Sequence, residues 1–181
     1  ASLLLLYLEV ALLRWVGAYV PFASFFTHHV LLGALLGVSF GFFLTGRRER
    51  LLTASPWTLL GTLAAGACFH VLHAEGLLTV RVEDPTDPER IFFGTIWPSS
   101  GARHLGLSIE VALLVVFAGS TLVCAALGQR LGALFDSARG KLVAYAVHLA
   151  GCVAGILGFA CLSSTGAPPI AWFVPALVLL G

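Results

Sequence analysis

Glu9 and Arg14 stand inside an apolar run, "LYLEVALLRW", where an ionisable side chain is costly unless it faces a partner or a cavity. Groups so placed can carry a proton, hold a cation on a path, or pair with a neighbouring helix. The two are about 140° apart around a helix and so are not natural intrahelical partners. Glu9 should therefore turn inward, and its functional and structural-pairing readings stand level. Arg14 lies near the end of the run beside Trp15 and Tyr19, where snorkelling to the interface takes precedence.

The pentapeptide "EVALL" returns at Glu110–Leu114, so that Glu110 echoes Glu9. Glu110 begins closer to an interface and reads as a solvated or capping residue. His148 lies well inside a later apolar run and completes the intramembrane polar candidates. His70 and His73 are three apart on one helix face with Glu75 close by, a weak metal-ligand pair. A haem between spans needs histidines facing each other at similar depth, and these, with His28 and His29, are mostly interfacial, so no cofactor is assigned. The four cysteines each sit alone in apolar sequence without CxxC spacing and read as small buried hydrophobes. No nucleophile constellation, phosphate loop or dinucleotide fingerprint occurs, so no catalytic residue is assigned and no nucleic-acid partner is expected.

The elements that must position these groups follow from composition. Of 181 residues 59% are hydrophobic and 10% charged, against about 25% charged in soluble domains. Mean hydropathy is +0.97. Continuous apolar runs argue for helices rather than the alternating strands of a barrel. The fold class is all-α, a polytopic transmembrane bundle with six spans at about 1–20, 27–45, 57–78, 105–127, 141–163 and 168–181. Pro21 closes the first, Pro56 with Trp57 opens the third, and "STGAPP" turns the corner before the sixth.

Arg47, Arg48 and Arg50 lie between the second and third spans. Arg130, Arg139 and Lys141 lie in "GQRLGALFDSARGK", read as the loop after the fourth. The positive-inside rule makes both loops cytoplasmic. The long loop holding Glu83, Asp84, Asp87 and Glu89 falls outside, and both ends of the chain fall on the cytoplasmic side of an inner membrane. The chain opens and stops within apolar runs, which predicts that the natural termini lie beyond Ala1 and Gly181.

Gly33, Gly37 and Gly41 recur every four residues in the second span, as do Gly151 and Gly155 in the fifth. Such rows line one helix face and let another backbone approach closely. They mark interior seams. The two glutamates of "EVALL" fall in the first and fourth spans, where two three-helix inverted repeats would place them.

The runs "LEVALLRWVGAYVPFASFFTHHVLLGALLGVSFGFFL", "IFFGTIWP", "GQRLGALFD" and "AYAVHLAGCVAGILGFACLSSTGAPPIAWF" resemble the membrane region of bacterial spermidine synthase-like membrane proteins. The resemblance covers most of the chain in order; it departs at His148, where that family usually carries Asn. It implies an aminopropyltransferase-like cytoplasmic domain after Gly181, and a membrane domain that anchors it or feeds it a polyamine-type substrate. The alternative is a non-catalytic accessory subunit that packs against a larger membrane complex. Lipid is the first partner in either case, with partner subunits or further copies of the chain beside it.

Overall fold

The computed structural model describes residues 1–19, 27–46, 50–75, 78–81 and 105–180. Apolar runs become helices because every backbone N–H and C=O must find a partner inside the segment when no water is at hand. The helices are α1 (Ser2–Tyr19), α2 (Thr27–Phe43), α3 (Arg50–Ala74), α4 (Ile109–Ser137), α5 (Lys141–Ser164) and α6 (Val174–Leu180), with a 3-10 turn over Pro169–Phe173 leading into α6. One short parallel strand pair, β1 (Leu78–Arg81) and β2 (Leu105–Ser108), joins the ends of α3 and α4. Three segments are long and apolar enough to cross a membrane: Ser2–Tyr19, Leu113–Ser137 and Lys141–Ser164.

α1 is the central helix. Leu8, Ala11, Leu12, Trp15 and Val16 are buried against Val30 and Ala34 of α2, Leu59 of α3, Val123, Cys124 and Leu127 of α4, and Phe173. An aromatic chain continues this core, with Tyr7 edge-on to Phe159 at 5.7 Å and Phe159 edge-on to Trp172 at 5.5 Å.

The glycine row of α2 lies on α4. A methyl group on Gly37 would meet Ala125 N at 3.0 Å and the Thr121 carbonyl oxygen closer still; one on Gly33 would meet the Ser120 hydroxyl. Gly151 and Gly155 lie on α1 in the same manner. A methyl on Gly155 would meet Tyr7 N at 3.2 Å and the Leu3 carbonyl oxygen closer, and one on Gly151 would meet Ser2. Backbone-to-backbone approach supplies the dispersion contact that replaces hydrophobic drive in lipid.

These contacts fix directions. Gly33, Gly37 and Gly41 meet α4 in ascending order, so α2 and α4 run parallel. Ser2 meets Gly151 and Arg14 meets Ser163, so α1 and α5 run parallel. Only Ala138–Gly140 separate α4 from α5, which makes that pair antiparallel. The start of α1, the end of α2 and the α4–α5 turn therefore share one end of the bundle. There Gln129 donates its side-chain N–H to the Leu44 carbonyl at 3.1 Å.

Three span boundaries differ from expectation. Pro56 lies inside α3 rather than opening it, past the first turn where proline is freely accommodated. Thr58 and Thr62 hydroxyls donate to the Ser55 and Thr58 carbonyls at 2.9 and 2.8 Å, helping satisfy the backbone around it. "GQRLGALFDS" is the last part of α4, not a loop. Its small residues belong to a seam, since Gly128 packs on Val38 and Gly132 on Phe42 and Thr45 while Leu127 and Leu131 are buried. The expected sixth span is broken into the 3-10 turn and seven helical residues. In addition, residues 105–108 of the expected fourth span are strand.

Both α2 and α5 end in Thr-Gly. Gly46 and Gly166 take positive φ, 85° and 73°, the left-handed position that stops a helix and that glycine adopts without steric cost. The preceding Thr45 and Thr165 donate their N–H groups to Phe42 and Leu162 carbonyls three residues back.

Candidate functional site

Glu9 sits on the α1 face shared with Leu5, Leu12 and Val16, all buried, and is itself half-buried. Cys124 of α4 is buried in the same core as Leu8 and Leu12, and Cys152 lies half-buried on α5, which also packs beside α1. Arg14, the nearest charged neighbour of Glu9 in sequence, points elsewhere.

A line of exchangeable groups runs from Cys152 of α5 to the start of α1. Cys152 Sγ lies 3.7 Å from His148 Nε2 and 3.8 Å from Nδ1, one helical turn away on α5. His148 Nδ1 lies 2.9 Å from the Ser2 hydroxyl in the first turn of α1. The imidazole is half-buried and edge-on to Phe135 of α4 at 5.6 Å. Arg130 of α4 is exposed at the same end. His148 therefore joins α1 to α5 through a hydrogen bond that either tautomer can make.

Arg14 is exposed, as snorkelling requires, but it also holds a specific place. Its guanidinium donates to the Ser163 hydroxyl near the end of α5 and lies over the Trp172 ring, 5.3 Å from the centroid. A cation at a helix C-terminus and on an indole face is favourable on both counts. The Tyr7 hydroxyl donates to the Trp172 carbonyl at 2.6 Å. Two residues of α1 thereby fasten the broken sixth segment.

The remaining candidates are dispersed. Glu110 is the second residue of α4, and its side chain lies outside the described set, as does that of His73. The acidic loop residues Glu83, Asp84, Asp87 and Glu89, with Arg47, Arg48 and "IFFGTIWP", lie outside the described residues. His70 caps α1 instead of gathering ligands: its Nδ1 is 3.1 Å from the Tyr19 carbonyl. No group of three metal-ligating side chains occurs among the described residues.

Sequence reasoning missed Cys152, Ser2, Ser163 and Trp172. The His148–Cys152 spacing of one turn was a legible signal. The Ser2–His148 and Arg14–Ser163 contacts were not, because only packing joins residues so far apart. Cysteine as a buried hydrophobe holds for Cys124, whereas Cys152 is half-buried and Cys68 and Cys161 are exposed.

Comparison with protein-family models, with curated proteins and with solved structures finds no match for the chain.

Proposed function

We propose that the chain is the membrane domain of a multi-pass inner-membrane protein of the spermidine synthase-like kind, anchoring a cytoplasmic domain and passing it a polyamine-type substrate. The observation that carries this reading is a half-buried carboxylate, Glu9, in the middle of α1, one of the helices long and apolar enough to cross a membrane. A polycation entering an apolar layer needs a fixed negative charge facing a cavity or path.

The two glycine seams support a transporter-like architecture of inverted repeats. Gly33 with Ser120 and Gly37 with Thr121 and Ala125 correspond to Gly151 with Ser2 and Gly155 with Leu3 and Tyr7. Every equivalence is a shift of 118 residues (151 − 33). The paired helices run oppositely, α1 against α4 and α2 against α5, as an inverted repeat requires. This register sets Glu9 opposite Leu127 rather than Glu110, and the "EVALL" echo falls outside it.

Arg130, Arg139 and Lys141 are exposed at the end shared by the start of α1 and the α4–α5 turn. The positive-inside rule assigns this end to the cytoplasm. Reconstituted in vesicles, the protein should take up labelled spermidine; uptake or binding left unchanged by Glu9→Gln sinks this reading.

A second reading, the accessory subunit, is favoured by α5. Leu142, Val143, Val147 and Leu157 are 83%, 67%, 66% and 59% exposed, a broad face open to lipid or to partner helices. Native purification decides: stoichiometric partners support the subunit, and a lone polypeptide refutes it.

A further inference from the structure

We infer that Arg14 and Ser163, set on the platform of the Trp172 ring, form the headgroup site of a bound phospholipid. The guanidinium and the hydroxyl hold its phosphate at the end of the bundle opposite the α4–α5 turn. The site is independent of anything the bundle carries.

The chemistry follows from setting donors against acceptors. A guanidinium has five N–H donors and no acceptor. Among the described residues Arg14 donates to the Ser163 hydroxyl alone, and its other contact is the Trp172 ring face, 5.3 Å from the centroid. No carboxylate pairs with it among the described residues. Ser163 accepts from Arg14, which leaves its own O–H to donate. The adjacent hydroxyls of Ser164 and Thr165 differ, since each donates at 2.7 Å to an α5 carbonyl three residues back. Trp172 adds to the surplus of donors. Its ring is buried, its carbonyl is taken by Tyr7, and its Nε1–H has no acceptor among the described residues. A cationic cluster of donors calls for an acceptor-only anion, and the planar guanidinium fork matches two oxygens of a phosphate.

The surroundings make that phosphate part of a lipid. Arg14 is exposed five residues before Tyr19, the last residue described in α1, or about 8 Å along the helix. An arginine so placed reaches the interface by snorkelling. Trp15 and Tyr19 stack on each other in the last turns of α1, and tryptophan and tyrosine are the rings that settle at headgroup level. On the segment that carries Trp172, Ile170, Val174 and Val178 are exposed at four-residue intervals. They form an apolar track for an acyl chain leading away from the headgroup. A soluble anion would use only the guanidinium, whereas a phospholipid occupies both features.

Native mass spectrometry of the detergent-solubilised chain tests the site, with dioleoyl phosphatidylglycerol as the probe. The parent should retain this lipid and should not retain dioleoylglycerol, which has the same acyl chains and no phosphate. Arg14→Gln should weaken retention by about tenfold or more, as loss of a charge-assisted, two-pronged contact does. Arg14→Lys keeps the cation over the ring but loses the fork, and should fall between. Ser163→Ala should weaken retention by about threefold, the worth of a single hydrogen bond. Arg139→Gln, exposed at the other end of the bundle, should leave retention unchanged. Equal retention in Arg14→Gln and the parent overturns the site, and so does an equal loss in Arg139→Gln, which marks attraction to charge in general. Equal retention of dioleoylglycerol overturns the role of the phosphate. Displacement of the lipid by an equimolar amount of inorganic phosphate overturns the lipid as its source.

Discussion

The Tyr7 hydroxyl donates to the Trp172 carbonyl across 2.6 Å, tying the centre of the first helix to a 3-10 turn 165 residues away. A carbonyl in a 3-10 turn before a short helix has few intrahelical partners, so α1 supplies one. The broken segment is thereby held as part of the core, with Phe173 fully buried beneath Trp15 at a 6.0 Å edge contact.

Removing that hydroxyl should loosen the segment without emptying the core. Tyr7→Phe keeps the ring against Phe159 and should cost about 1 kcal/mol, the usual net worth of one hydrogen bond, or somewhat more because the carbonyl is left unpaired. Chemical unfolding of the detergent-solubilised protein reads it, and a stability equal to that of the parent would refute the contact.

The α1–α5 seam offers a matched comparison on one helix. Gly155→Ala drives a methyl into the Leu3 backbone, whereas at Gly158 nothing lies within 4 Å of the added carbon. The first change should destabilise by about 1–3 kcal/mol, as overpacking does. The second should be neutral or stabilising by up to about 1 kcal/mol, from helix propensity alone. Equal effects in thermal unfolding would remove the seam.

The four thiols should react in a fixed order. Cys68 and Cys161 are exposed, Cys152 is half-buried and Cys124 is buried. A small membrane-permeant maleimide should label the first two fastest and reach Cys124 only on unfolding. Labelling of Cys124 as fast as Cys161, followed by mass spectrometry, would mean that the core around α1 and α4 is open.

The end of α2 and the α4–α5 turn lie at one end of the bundle. With the native cysteines replaced, Gly46→Cys and Arg139→Cys should be labelled by an impermeant reagent from the same side of sealed vesicles. Both sites are exposed. Labelling from opposite sides would overturn the parallel arrangement of α2 and α4.

Much of this is legible in the sequence. A carboxylate in an apolar run is expected to face inward, and Glu9 is half-buried on α1. Glycines every four residues have to admit a close neighbour, and the α2 row meets α4 as the α5 pair meets α1. The sequence could not say which helix would be that neighbour, because a glycine row specifies closeness and not identity.

What the sequence by itself determined is the class of environment each segment needs: helices long and apolar enough to cross a membrane, one inward acid, and two rows of small residues. Those follow from desolvation and side-chain volume, which are local. Only the tertiary structure decided that "GQRLGALFDS" continues a helix, that Pro56 lies within one, that Arg14 belongs to Ser163 and Trp172, and that His148 reaches Ser2. Each of these depends on a partner far along the chain. It also gave the two glycine rows different neighbours, Gly33 and Gly37 meeting α4 and Gly151 and Gly155 meeting α1. A close helix seam asks only for small groups and exposed backbone at the crossing, so its geometry can recur where its letters do not.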